Sequence, residues 1–320
     1  MAKQDADVIA LADVLRTTIG CDDRIDRTRA LEFWAQPSQH ACQPPAINSA
    51  DDYRGGAYLS INLSSSGLSP RLHQQRLQQW CELLPSFSDV EWLWVYGPVN
   101  PPIFAAICQL PKLHALCIDQ STINSLEPLA QRSSLQYLKI ARSPAIHSIE
   151  PLAHLTHLKW LQLDQFKLIS SLAPLQRLTQ LEGFGFTGSD HKGHLIDSLQ
   201  PLQHLILLRW LHLGALRVND GSLQPLTGLQ QLIWLGLPNA FALEEYAALS
   251  NHLSPEVCQW LQPYTRLHSS VLPCRICQKN WRVMMAGQGS KALCPSCHAI
   301  KLARHVLQFN QAKAAAAQSV

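Results

Sequence analysis

Leucine and other apolar side chains recur along the middle of the chain in units of 23 to 27 residues. The clearest marker is a Pro-Leu dipeptide, and its successive prolines are 23, 23, 27 and 24 residues apart in the series Pro128, Pro151, Pro174, Pro201 and Pro225. Inside a unit, a Leu-x-x-Leu-x-x-Leu run precedes a Leu-x-Leu pair, as in Leu152, Leu155, Leu158, Leu161 and Leu163. Seven such units are visible between residues 84 and 240.

The spacing inside each unit predicts two kinds of segment. The Leu-x-Leu pair has the period of a strand that points both leucines into a core. Leucines three residues apart predict a helical or 3₁₀ segment that covers the same core from the other side. Because stacked units close a core that one unit cannot, we predict an α/β solenoid with a parallel sheet on its concave face. An all-helical array is the alternative, but the recurrent proline and the Leu-x-Leu ending disfavour it. Stacked repeats are typical of binding surfaces.

The segment from Leu116 to Leu129, LCIDQSTINSLEPL, resembles the leucine-rich repeats of internalins and of the protein phosphatase 1 regulatory subunit family. The resemblance covers about residues 84 to 240 and implies a leucine-rich-repeat solenoid that binds a protein partner. It departs at the position usually held by Asn, where this chain has Ser121, Ser143, Phe166, Ser189, Leu216 and Ala240. We therefore expect turns that are looser or bonded through hydroxyl groups in place of a buried amide ladder.

The flanks of the repeats predict two caps. Residues 1–83 form a helical lead-in and N-terminal cap, with helices over about 5–19 and 24–35, an edge strand over 58–63, and a helix that Ser69-Pro70 begins and that ends near Leu84. Residues 241–271 form a C-terminal cap and linker, with a short helix from Ser254 to Trp260. A solenoid needs such caps because its terminal units lack a neighbour.

Four cysteines near the C-terminus have metal-ligand spacing. They form two Cys-x-x-Cys pairs separated by 16 residues: Cys274, Cys277, Cys294 and Cys297. Four thiolates at tetrahedral reach predict a structural Zn²⁺ site with no open coordination position. Between the pairs, alternating Val283 and Met285 followed by glycines predict a hairpin, so residues 272–320 are expected to form a zinc ribbon and a helix over about 299–311. A rubredoxin-type iron centre and catalytic dithiol chemistry are less favoured alternatives.

The end of this module also resembles the tail of HNH endonucleases in its sequence LCPSCHAIK, residues 293–301. Those nucleases need a histidine between the two cysteine pairs, and residues 278–293 contain neither histidine nor an acidic residue. The resemblance therefore implies only a zinc knuckle. His298 and His305 are expected to be ordinary positions of the following helix.

The residue before each Leu-x-Leu pair is predicted to lie on the concave face. This aromatic column comprises Trp92, Ala115, Tyr137, Trp160, Gly183, Trp210 and Trp234. Aromatics among isolated charges are typical of interface hot spots. The predicted partner-binding residues are Trp92, Trp94, Tyr137, Lys159, Trp160, Arg209, Trp210, His212 and Trp234. The alternative is an aromatic ladder that only stiffens the strands. Gly183 and Gly185 predict a gap in which a partner side chain or the tail of the chain fits.

Charge is distributed unevenly along the 320 residues, which carry a net charge of +3. Residues 274–320 hold seven Lys and Arg and no acidic residue, whereas the rest holds 19 basic and 23 acidic residues. The basic segment raises a second hypothesis, a nucleic-acid-associated factor. Its candidate phosphate contacts are Arg275, Lys279, Arg282, Lys291, Lys301 and Arg304.

Other function classes find no support in the sequence. No phosphate loop, nucleophile elbow or paired-carboxylate spacing is present, so we expect an interaction protein and not an enzyme. No signal peptide or apolar run of membrane-spanning length is visible, so no membrane association is expected. The six remaining cysteines are scattered, which indicates a reducing compartment, and cytoplasm is the default expectation.

Overall fold

The computed structural model describes residues 7–9, 11–12, 43–188, 193–267, 273–279 and 282–318. It divides into two compact units, one of Leu31–Asp220 and one that combines Met1–Ala30 with Gly221–Val320. The predicted helix over 24–35 lies outside the described residues. Of the predicted helix over 5–19, residues 7–9 and 11–12 are described and are helical.

A parallel sheet runs through the Leu31–Asp220 unit. Its strands are Tyr58–Asn62 (β1), Trp92–Val99 (β2), Ala115–Ser121 (β3), Tyr137–Ala141 (β4), Trp160–Asp164 (β5), Gly183–Thr187 (β6) and Trp210–Gly214 (β8). They pair in the order β1-β2-β3-β4-β5-β6-β8. Equivalent repeat positions pair directly, as Leu161 does with Phe184, and these side chains are fully buried. The predicted repeat strands and their stacking are thereby confirmed.

After the strand, most repeats have a short 3₁₀ segment. In the Leu31–Asp220 unit these include Glu127–Leu129, Glu150–His154, Ala173–Arg177 and Gln200–His204. An earlier repeat has an α-helix, α2, at Pro101–Ile107. The recurrent proline lies in the first turn, where its missing N–H costs no hydrogen bond. A serine two residues before each 3₁₀ segment accepts a hydrogen bond of 3.1–3.2 Å from its first backbone N–H: Ser125, Ser148, Ser171 and Ser198.

In the described repeats, the turns after the strands have no buried ladder of Asn side chains, as expected. The hydroxyl groups of Ser121 and Ser143 are hydrogen-bonded at 2.6 Å and buried, and Ser143 donates to the carbonyl of Ala141 at 3.0 Å. Phe166 fills the equivalent position of a later unit with an apolar side chain that is fully buried. Ser189 lies outside the described residues.

Of the predicted N-terminal cap, the edge strand and the helix that Ser69-Pro70 begins are present in this unit. Helix α1, Pro70–Leu83, begins after Ser69, whose hydroxyl accepts from the backbone N–H of Leu72 at 3.4 Å. Its Trp80 is fully buried and donates from Nε1 to the carbonyl of Asn48 at 3.3 Å. Strand β1 lies at the edge of the sheet, where Ile61 forms an isolated bridge with Ile47.

The longest repeat contains an element that the sequence did not predict. Strands β7, His194–Ile196, and β9, Leu216–Val218, form a separate two-stranded parallel sheet. The His194 ring is hydrogen-bonded to the carbonyl of Ile169. Strand β7 of the longest repeat therefore pairs with a short strand of the following repeat.

The second unit holds the last repeat strand and the cysteine module. Its elements are β10 (Trp234–Gly236), α3 (Leu243–Leu249), an antiparallel sheet of β11 (Tyr264–Leu267), β12 (Arg282–Met285) and β13 (Ala292–Leu293), and α4 (Ala299–Ala317). Val8 and Ala12 share one buried cluster with apolar residues of β12, β13 and α4. The predicted boundary between residues 271 and 272 falls between β11 and β12, which pair directly.

Two helix predictions in this unit need correction. The short helix from Ser254 to Trp260 is wrong, because residues 255–257 form a turn in which the carbonyl of Val257 accepts from the backbone N–H of Leu235 at 2.8 Å. The helix of this region is α3, which the sequence analysis missed. Helix α4 continues to Ala317, beyond the predicted end near residue 311, because its last turns are rich in alanine. Within the described residues, no helix combines the length and the apolarity that crossing a membrane requires.

Candidate functional site

The four cysteines of the two Cys-x-x-Cys pairs meet in the second unit. The Sγ atoms of Cys274, Cys277, Cys294 and Cys297 all lie within 4.8 Å of one another. Two of the separations are 3.9 Å, between Cys274 and Cys297, and 3.5 Å, between Cys277 and Cys294. A tetrahedron of sulfurs at a Zn–S distance of about 2.3 Å has edges of about 3.8 Å. The donor set and its spacing therefore fit Zn²⁺.

Local backbone structure holds each pair in place. The first pair forms a tight turn in which the backbone N–H of Gln278 donates to the carbonyl of Cys274 at 2.8 Å. Gln278 has φ of 57°, a left-handed conformation that glycine usually adopts at such turns. The second pair leads directly into α4, where the backbone N–H of His298 donates to the carbonyl of Cys294 at 2.9 Å. The module is thus a knuckle, a hairpin and a helix, with the second pair at the helix start.

The four thiols influence one another strongly. Hydrogen bonds from the backbone N–H groups of Cys277 and Ile276 lower the pKa of Cys274 to about 6. The side-chain hydrogen bond with Cys277 raises the pKa of Cys297 to about 12. Because thiolates at this distance repel each other, a cation between them favours their ionised forms.

The other described cysteines are free thiols, namely Cys81, Cys108, Cys117 and Cys258. Burial raises the pKa of both Cys108 and Cys258 to about 12, so these two thiols are inert at neutral pH.

Two of the six candidate phosphate contacts, Lys301 and Arg304, line one cleft. Lys279 reaches the hydroxyl of Ser296 at 3.3 Å, and Arg282 donates to the carbonyl of Pro273 at 3.3 Å, so both support the cysteine module itself. Arg275 and Lys291 are exposed and are not among the residues that line this cleft, which lies beside α4.

On the parallel sheet, the predicted aromatic column is in register from β2 to β8. Trp92 pairs with Ala115, Ala115 with Tyr137, Tyr137 with Trp160, and so on through Gly183 to Trp210. Trp234, the last predicted member, lies on β10 in the other unit and is partly exposed. The sequence spacing therefore identified the column in the Leu31–Asp220 unit correctly.

The expectation that the whole column is exposed is wrong. Within the column, Trp160 and Trp210 have only 3% and 6% of their surface exposed. Trp94, a predicted contact outside the column, is likewise only 3% exposed. The gap predicted at Gly183 is also absent, because the ring of Trp160 covers it and a Cβ built on Gly183 would lie 2.0 Å from Cε3 of that ring. Gly183 thus leaves room for the indole ring of Trp160 to pack against the sheet.

A partly exposed aromatic cluster remains at the N-terminal end of the sheet. The rings of Trp92 and Tyr137 are stacked at 5.2 Å across the buried Ala115 between them. Tyr58, on edge strand β1, lies 6.3 Å from Trp92 and 6.5 Å from Trp94 and is 46% exposed. Sequence analysis missed Tyr58 because β1 precedes the repeats, although its pairing with Trp92 extends the column by one strand. We call Tyr58, Trp92 and Tyr137 the aromatic cluster.

Polar residues occupy the middle of the same face. The Asp164 carboxylate accepts from Gln162 Nε2 at 2.8 Å and from the Thr187 hydroxyl at 3.3 Å, and burial raises its pKa. His212 packs against Gly214, whose added Cβ would lie 2.8 Å from His212 Nε2, and burial lowers the pKa of this histidine to about 4. Of the charged predicted contacts, Lys159 and Arg209 are exposed.

Comparison with known proteins adds little to these observations. No family model matches the chain, and no curated protein matches it. Among solved structures, an internalin (inlF) of Listeria monocytogenes is 24% identical, with a TM-score of 0.44 over 61% of this chain and 53% of that one. A second Listeria monocytogenes internalin, C2, is 22% identical, with a TM-score of 0.41 over 54% and 72%. A leucine-rich-repeat protein of Leptospira interrogans is 17% identical, with a TM-score of 0.45 over 73% and 63%.

This chain spans about half the length of the inlF internalin. The assignment as a leucine-rich-repeat solenoid rests on the repeat register and the buried leucines of the sheet itself.

Proposed function

We propose that this protein is a non-catalytic adaptor that binds a protein partner on the concave face of the repeats. The observation that carries the proposal is the aromatic cluster at one end of the sheet, in which the rings of Trp92 and Tyr137 are stacked and Tyr58 lies beside Trp92. Aromatic side chains supply much of the energy of protein interfaces at a low entropic cost. Lys159 and Arg209 contribute exposed charges farther along the face. Trp94, Trp160 and Trp210 are buried and act as support.

The experiment is capture of partners from a lysate by the full chain, followed by mass spectrometry. We expect Trp92→Ala with Tyr137→Ala to abolish capture of the protein that the wild type retains. Leu168→Ala is the matched control, because Leu168 is 57% exposed but lies outside the strands. Circular dichroism verifies that each variant is folded.

A second pair of substitutions keeps the test decisive if loss of the stacked rings disturbs the fold. Lys159→Glu and Arg209→Glu change the exposed charges next to Trp160 and Trp210 in sequence without removing packed atoms. We expect them to weaken capture of the same partner at least fivefold. Retention of the partner by both the aromatic and the charge variants would exclude the concave face as its binding site.

The cysteine module is proposed to hold one structural Zn²⁺ through Cys274, Cys277, Cys294 and Cys297. The sulfur separations of 3.5 Å and 3.9 Å support this assignment, because they match a four-thiolate tetrahedron. When bound, the ion supplies no reactive position and acts by joining the knuckle to the start of α4. The module then serves as a second contact surface or as a rigid end of its unit.

The basic charge of this module supports a second candidate, a nucleic-acid-associated factor. Residues 274–320 carry seven basic and no acidic side chains, and the Zn²⁺ thiolate centre offsets about two of these charges. This function predicts retention on DNA that falls steeply with salt and is lost when the cations are removed. The cytoplasmic location suggested by the free cysteines remains a prediction that fractionation of cells tests directly.

A further inference from the structure

A cleft of about 660 Å³ lies beside α4, next to the second cysteine pair. Its lining includes Met285, His298, Ile300, Lys301, Arg304 and Gln308. A volume in the range of about 300–1,000 Å³ is typical of small-molecule sites in proteins. All of these residues belong to one compact unit, so the cleft is a property of that unit alone. Neither the concave-face proposal nor the structural Zn²⁺ gives the cleft a role.

Two cations on one side of this cleft are suited to a phosphate group. Lys301 and Arg304 are three residues apart on α4, so their side chains emerge as neighbours with Cβ atoms about 5–6 Å apart. Both are exposed, and within the described part of the chain neither forms an ion pair. Residues 274–320 contain no Asp or Glu. Arginine and lysine together are a common donor set for phosphate.

The remaining lining differs from that of a simple anion site. Met285 and Ile300 provide an apolar wall, and Ile300 is 46% exposed. A methionine thioether makes favourable contacts with aromatic rings. Gln308, one helical turn beyond Arg304, offers an amide that both donates and accepts hydrogen bonds. The Nδ1 atom of His298 is buried and lacks a hydrogen-bond partner among the described residues.

From these contacts we infer that the cleft beside α4 binds a nucleoside phosphate, with its phosphate on Lys301 and Arg304 and its base against Met285 and Ile300. The three chemical parts of the cleft match the three properties of such a ligand: an anion, a flat aromatic ring, and hydrogen-bonding edges. The ligand is either a free nucleotide or the end of a nucleic-acid strand. The inference extends the second candidate function and stands independently of the concave face.

The test is isothermal titration of the zinc-loaded full chain with AMP and, separately, with inorganic phosphate. We expect AMP to bind at least tenfold more tightly than phosphate. Lys301→Gln with Arg304→Gln should weaken AMP binding at least tenfold. The matched control is Arg275→Gln with Lys291→Gln, which removes the same charge from exposed positions of the module outside the cleft and should change AMP affinity less than twofold.

A second variant tests the contact with the base separately from the contact with the phosphate. Ile300→Ala should weaken AMP binding about three- to tenfold and leave phosphate binding unchanged. A 5′-phosphorylated oligonucleotide that binds more tightly than AMP identifies a strand end, whereas a preference for AMP identifies a free nucleotide. Zinc content and circular dichroism establish that each variant is folded.

Three results would overturn the inference. They are the absence of AMP binding to the wild type at millimolar concentration, equal affinity for AMP and phosphate, and an equal loss of AMP binding in the cleft variant and in the Arg275 and Lys291 control. Partner capture through the aromatic cluster is measured separately, so failure of one proposal leaves the other intact.

Discussion

The indole ring of Trp160 lies flat across Gly183, its direct partner on the next strand of the sheet. A Cβ built on Gly183 would lie 2.0 Å from Cε3 and 2.1 Å from Cζ3 of the ring. Glycine is required here by the close approach of a neighbouring side chain. The same principle applies at Ala115, over which Trp92 and Tyr137 stack.

Gly183→Ala is therefore expected to force Trp160 from its position. Overpacking of this kind costs about 1–3 kcal/mol, which chemical denaturation monitored by tryptophan fluorescence will show as a lower midpoint. Gly228→Ala is the matched control, since a Cβ there meets nothing within 4 Å. In a Trp160→Ala background the cost of Gly183→Ala should disappear. If it persisted, the ring contact would not be its cause.

The Ser121 and Ser143 hydroxyl pair should behave as one unit. Because Ser143 donates to Ala141, Ser121 must donate to Ser143, and Ser143→Ala leaves the buried hydroxyl of Ser121 without its acceptor. That loss is expected to cost about 1–3 kcal/mol of unfolding free energy. The double substitution Ser121→Ala with Ser143→Ala should cost less than the sum of the two single ones. Additive costs in a double-mutant cycle would contradict this coupling.

Much of the fold follows from the sequence, because the spacing of the leucines identifies the buried positions directly. Every Leu-x-Leu strand was predicted, and the cap helix α1 was predicted from Ser69 and Pro70. The serine that caps each 3₁₀ segment was missed, although it recurs at Ser125, Ser148, Ser171, Ser198 and Ser222, since a polar residue with a local backbone role stands out less than a leucine. The sheet of β7 and β9 was missed because the spacing predicts one strand in each repeat, at the Leu-x-Leu pair.

The candidate sites were less predictable. The cysteine cluster was recognised because metal ligands have a local spacing rule. Exposure of the aromatic column was misjudged, because period-two alternation identifies the side of the sheet on which Trp160 lies but not whether a neighbouring glycine lets it lie flat. The cleft beside α4 could not be foreseen, since Met285 on β12 and Arg304 on α4 are brought together only by tertiary packing.

Acid should destabilise the protein partly through His212. Burial lowers the pKa of this histidine from 6.5 to about 4, so between these values the unfolded chain binds a proton that the folded chain excludes. Above pH 6.5 the ring is neutral in both states and costs no stability. As the pH falls from 6.5 to 4, the folded state loses stability relative to the unfolded state. At about 1.4 kcal/mol per pKa unit, the partly exposed ring accounts for about 1–3 kcal/mol.

His212→Gln removes the titrating group and should flatten the dependence of the unfolding free energy on pH between 6.5 and 4. The exposed His154, replaced in the control His154→Gln, should leave that dependence unchanged. Asp164 changes stability in the opposite sense on acidification, because burial raises its pKa. Its effect is the same in both histidine variants, so it cancels when they are compared. An unchanged pH profile in His212→Gln would show that this ring is not desolvated in solution.

Removal of metal should unfold the cysteine module and leave the parallel sheet intact. We expect one Zn²⁺ per chain, and substitution by Co²⁺ should give the absorption of a tetrahedral thiolate site. Chelation should expose amides of α4 and of the β12–β13 hairpin to hydrogen exchange, because the ion joins the two cysteine pairs and free thiols do not. Cys297→Ser should produce the same pattern without a chelator, whereas Cys81→Ser, at a free thiol far from the cluster in sequence, should bind one Zn²⁺ and exchange as the wild type does. Full protection of α4 in the chelated protein would show that packing alone holds this module together.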